Sequence, residues 1–122
     1  MQLSKENINQ LEELDRLYIK AYETKSIGVI RDRCSTEFLY KLAKLYIIQP
    51  RYFSEEVYRT NEWTVIETNG VHWTLKKKCK YLEVKVGLFR KTKVSANYSE
   101  EWVVDSTEPM KILSIGGLQY DL

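Results

Sequence analysis

At Pro50 the hydrophobic period of this chain changes, and that change limits the folds open to it. Before Pro50, apolar residues recur at three- and four-residue steps. Ile8, Leu11, Leu14, Tyr18, Ala21 and Tyr22, with Leu17 beside them, mark one face of a helix from Ser4 to Thr24. Ser4 can cap it by accepting a bond from a free first-turn N–H, and Glu6 suits the positive end of its dipole. Ser26 then begins a short second helix through Ile30. A third starts near Ser35 or Thr36, buries Phe38, Leu39, Leu42, Leu45 and Tyr46, and ends before Pro50. Proline disfavours helical geometry in the residue before it, so the helix stops there.

After Pro50 the pattern alternates. Val57–Glu67 reads as a strand, Asn69 and Gly70 suit a type I′ hairpin turn, and Val71–Leu75 begins the return. Leu82, Val84, Val86 and Leu88 share one face of the next stretch, with Gly87 at a bend or bulge. Val94–Asp105 and Met110–Ile115 follow, separated by the turn Ser106–Pro109. The expected architecture is α+β: three N-terminal helices packed on a curved antiparallel sheet of about four strands, all in one domain spanning residues 1–122.

Composition restricts function more than it reveals it. The formal charge of +2 gives the whole chain no strong bias toward polyanions. Locally, though, Val71–Val94 carries eight basic residues against Glu83 alone. Cys34 and Cys79 form no CxxC pair and His72 is the one histidine, too few ligands for a structural zinc site, so neither metal nor cofactor is expected. The N-terminal residues lack a basic region followed by an apolar core, and no run of 18 apolar residues occurs. A cytoplasmic protein with reduced thiols is the expectation, with membrane association only through other regions or partners.

Two sets of residues bear on chemistry. In a strand, Tyr98, Glu100, Trp102 and Val104 share a face, while Glu101 points the other way. If the first face is concave, Glu100 is desolvated between aromatics and becomes a weak candidate for a general base, with Tyr18, Tyr22, Tyr98 and Trp102 lining a ligand pocket. The plainer reading pairs Glu100 with a cross-strand lysine or Arg90, and no oxyanion partner is evident in the sequence. The second set is Lys76, Lys77, Lys78, Lys80, Lys85, Arg90, Lys91 and Lys93, interleaved with Trp73, Tyr81 and Phe89. Such a stripe suits RNA, single-stranded DNA or an anionic membrane surface, or it protects an exposed edge strand from pairing with other chains.

The order of long helix, short helix, third helix and strand meander resembles the nuclear transport factor 2-like (cystatin-like) superfamily. Two segments, Ile30–Leu42 and Tyr98–Val104, resemble the branch of the mitochondrial inner-membrane translocase subunit 44 C-terminal domain. In the first, a helix ends and a T/S-x-E/D-hydrophobic pair opens the next; in the second the pattern is E-x-W-x-aromatic. Val104 and Met110 depart from it, standing where the branch often has an aromatic and a tryptophan. The resemblance implies a conical α+β fold and a non-enzymatic adaptor in a membrane-associated or secretion machine, with a protein partner and a homodimer formed through the sheet. The alternatives it leaves open are an isomerase-like or small-molecule pocket using Glu100, and a basic surface for RNA, ribosome or anionic lipid.

Overall fold

The computed structural model describes the backbone of residues 2–48, 55–86 and 91–121, and the side chains of residues 2–21, 24–44, 62–78 and 99–116. Helix α1 spans Lys5–Thr24. Its cap is reciprocal: Asn7 N–H donates to Ser4 Oγ at 3.1 Å and Ser4 N–H donates to Asn7 Oδ1 at 3.3 Å. Two first-turn donors that the helix cannot satisfy internally are thereby bonded. At the other end Lys25 takes a left-handed φ of 52°, and Ser26 N–H reaches back to Ala21 C=O at 3.1 Å. That six-to-one closure is a Schellman motif, with lysine where glycine is usual.

The segment expected as a short second helix forms two consecutive 3-10 turns, Ile27–Val29 and Arg31–Arg33. Ser26 is extended and gives no side-chain cap. Glycine and β-branched residues favour the α-helix poorly, and Ile27-Gly28-Val29-Ile30 consists of them. Each turn instead closes by a three-residue bond, Ile30 N–H to Ile27 C=O and Arg33 N–H to Ile30 C=O. Helix α2, Thr36–Ile48, begins as expected, with Ser35 Oγ accepting from Phe38 N–H at 3.2 Å. No helix among the described residues is long and apolar enough to cross a membrane.

Four strands follow: β1 (Glu55–Asn69), β2 (His72–Val86), β3 (Lys91–Asp105) and β4 (Lys111–Asp121). They pair antiparallel in sequence order, a plain meander. The first turn differs from the expected Asn69-Gly70 type I′. Asn69 pairs with His72, so the central residues are Gly70 and Val71, and Gly70 alone carries the positive φ, 61°. A glycine in first position is what a type II′ turn asks for, and Val71 keeps the negative φ its branched side chain prefers.

The core lies between the helices and one face of the sheet. Leu11, Leu14 and Ala21 from α1, Ile30 and Cys34 from the turns, and Phe38 and Leu42 from α2 meet Leu75, Trp102, Val104, Met110 and Ile112. Each buried leucine contributes about 1.5–3 kcal/mol. The second 3-10 turn is stitched to the start of β4. Ser35 N–H donates to Ile112 C=O at 2.9 Å, and Arg33 Nε to Met110 C=O at 3.1 Å. Arg33 also donates to Glu13 Oε1 on α1 at 3.1 Å, so one side chain ties three elements. The expected bend at Gly87, with Leu88 beside it, lies outside the described residues.

Candidate functional site

Strand alternation divides the three consecutive lysines. Trp73, Leu75 and Lys77 of β2 turn toward the helices, while Lys76 and Lys78 turn away. Lys77 is completely buried, an unusual place for a lysine without compensating charge. Compensation comes from α1, where Asp15, 5% exposed, contacts the Lys77 Nζ directly through Oδ2. The ammonium lies 4.9 Å from the ring centroid of Trp63 on β1 and 5.9 Å from that of Trp102 on β3. The two indoles meet edge to face at 5.1 Å and 88°, so they form a corner around the cation. Aromatic faces attract cations more strongly once water is excluded.

Glu100 completes the cluster. It is the direct cross-strand partner of Lys77, is 4% exposed, and accepts a long 3.4 Å bond from Trp102 Nε1. On the other side of β3 the register with β4 slips between Ser99 and Glu101, so Glu100 lies opposite a bulge. A bulge re-aims the side chains beside it, and this one lies next to the only inward-facing carboxylate among the described residues of β3. Tyr18 closes the aromatic wall, 5.9 Å from Trp102 and 6.4 Å from Phe38 between centroids.

Of the residues expected to line a pocket, Tyr18, Glu100 and Trp102 thus come together on the helix-facing side. The side chains of Tyr22 and Tyr98 lie outside the described residues, although the Tyr98 backbone pairs with Cys79 and Tyr120. Of the basic stripe, Lys77 is interior. Lys76 faces outward opposite Glu101, and Lys78 outward opposite Glu62, so the described part of that face alternates in sign. The side chains of Lys80, Lys85, Lys91 and Lys93, and Arg90 as a whole, lie outside the described residues. Asp15, Trp63 and the interior role of Lys77 were not singled out from sequence. The signals were present: Asp15 falls four residues after Leu11 and three before Tyr18 on the buried stripe of α1, and Lys77 falls two after Leu75.

Two other titratable groups stand apart from this cluster. At the exposed end of the sheet the Asp105 carboxylate accepts from Thr107 Oγ1 at 2.6 Å and Thr107 N–H at 2.9 Å. Those bonds, with weaker help from His72 and Lys111, hold it below the usual carboxylate range. Burial pushes the Cys34 thiol up, and its Sγ donates to Ile30 C=O at 3.3 Å. No family model, curated protein or solved structure matches this chain.

Proposed function

We propose that this chain is a non-enzymatic binding domain that offers the outer face of its sheet to a protein partner, with the helix-facing side serving as core. One observation carries the reading: among the described residues of the sheet, the inward charges are engaged with the chain's own groups, Lys77 with Asp15 and Glu100 with Trp102. A general base needs hydrogen-bond reach to a substrate, and Glu100 spends that reach inside the core. Outward, the rung Thr64, Lys76, Glu101 and Gly116 mixes both signs of charge, and exposed Ile66 stands at a bulge of β1 beside it. Interspersed charge suits a protein surface better than it suits a polyanion.

The order of helix, turns, helix and four-strand meander supports placing the chain with nuclear transport factor 2-like folds. A role in a membrane-associated or secretion machine, and a homodimer through the sheet, belong to the same proposal. A photo-cross-linking residue at Thr64 tests it in the native host. A discrete adduct that persists in a Glu100→Gln background is the expected result; no adduct from Thr64 overturns it.

A second reading draws on Glu100 itself. It faces the helix side among Trp102, Trp63 and Tyr18, as a pocket for a small apolar ligand would require. An adduct at Thr64 lost with Glu100→Gln would move the assignment to this pocket.

A further inference from the structure

Lys77 stands in surroundings that have the chemistry of a receptor. Two indoles meeting at 88° present π surface to its ammonium, at 4.9 and 5.9 Å. Asp15 supplies an anionic acceptor in direct contact, and Glu100 stands directly across the strand. Aromatic faces and carboxylates around a desolvated centre are the means by which proteins recognise organic cations. Here the cation belongs to the chain. Leu75 and Val65 lie on the same sheet face, and the buried Leu11 and Leu14 precede Asp15 on α1, so the walls beyond the charged centre are apolar.

From this arrangement we infer that residues 15, 63, 100 and 102 form a binding site for a primary alkylammonium group, occupied by Lys77 and open to a small amine once that side chain is shortened. The inference goes beyond the proposed function and does not depend on it. It differs from the statement that Lys77 merely fills space. A space filler can be replaced by any molecule of its shape, whereas a cation site distinguishes an amine from its neutral isostere. It also differs from general charge attraction, because the site needs an N–H donor for Asp15 as well as a positive charge for the indoles.

The Lys77→Ala substitution removes three methylenes and the ammonium, which together have the shape of n-propylammonium. The experiment measures the thermal midpoint of this variant in propylammonium chloride, 1-propanol, tetramethylammonium chloride and sodium chloride at equal concentration. For a dissociation constant of about 10 mM, about 100 mM ligand raises the midpoint by about 4–7 °C. That shift is expected with propylammonium alone, and it disappears when Asp15→Asn is added. Lys77→Met, whose side chain fills the same volume, is expected to show no response.

If Lys77→Ala is unfolded in plain buffer, far-ultraviolet circular dichroism gives the same readout, with propylammonium restoring the fold and 1-propanol failing to. Equal effects of propylammonium and 1-propanol would mean an ordinary apolar cavity and overturn the inference. No effect of either, or an effect of propylammonium that survives Asp15→Asn unchanged, would overturn it as well.

Discussion

Replacing Asp15 by asparagine keeps the shape of the side chain and removes the charge that Lys77 contacts. The ammonium stays buried because the β2 backbone holds it on the helix side. Breaking one partner of a buried pair costs about 3–5 kcal/mol, chiefly as desolvation of the charge left behind. Against a total stability of about 5–15 kcal/mol for a domain, this is about a fifth at the least and can reach the whole. With a urea slope of about 1.5 kcal/mol per molar, the midpoint falls by about 2–3 M.

Adding Lys77→Met to Asp15→Leu should recover part of the loss, since apolar replacement of both partners is often neutral. Recovery stays incomplete because Glu100 then faces a thioether across the strand. The expected coupling energy from the double-mutant cycle is therefore about 2 kcal/mol or more. Glu37→Gln, which breaks the exposed Lys41 pair at 3.6 Å, gives the surface reference and should change stability by less than about 0.5 kcal/mol. If Asp15→Asn costs no more than that reference, the pair is not the structural tie described above.

Four further outcomes follow from single features. Lys25→Gly should stabilise the protein by about 0.5–1 kcal/mol in urea, because glycine carries no steric penalty at the left-handed position closing α1. Thr107→Ala should return the Asp105 carboxyl toward its ordinary range by NMR titration. In the parent, the unfolded carboxylate protonates first as pH falls, so this group's stabilisation is present above the ordinary carboxylate range and is lost as pH drops through the folded value. Cys34 should resist alkylation in the folded protein and react at the unfolded rate in urea. Its unfolded thiol ionises first, so stability declines as pH rises past the ordinary thiol range. Lys76→Glu and Lys78→Glu should leave the fold intact by circular dichroism, whereas Lys77→Glu, which sets a third carboxylate beside Asp15 and Glu100, should abolish it.

Much of the fold was legible because its local signals agree with one another. Ser4 caps α1 as expected, α2 starts where Ser35 and Thr36 suggested, and the change of period near Pro50 separates the helical part from the strands. The hairpin turn was misread by one residue, since both Asn69-Gly70 and Gly70-Val71 satisfy a glycine-centred turn and only the strand register chooses between them. The short helix was over-read because Ser26 resembles a cap, while Gly28 and its branched neighbours support only 3-10 turns.

The site was harder to read. Alternation alone puts Lys77 on the face of Leu75, yet three lysines in a row look like a surface. Recognising Lys77 as interior requires its anion, and Asp15 lies 62 positions earlier (77 − 15) on another element. Sequence spacing does not show which helix crosses which strand. Tertiary packing decided that lysine's role.

The central claim is that the helix-facing side of the sheet is closed by a buried ammonium held between Asp15 and two tryptophans. The most direct measurement is nitrogen-detected NMR of the lysine ammonium groups, with Lys77→Met assigning the Lys77 signal. Hydrogen exchange at Lys77 Nζ at neutral pH should be far slower than at exposed Lys41, and Asp15→Asn should accelerate it. A Lys77 ammonium exchanging as fast as that of Lys41 would contradict the account, because it would place the charge in water.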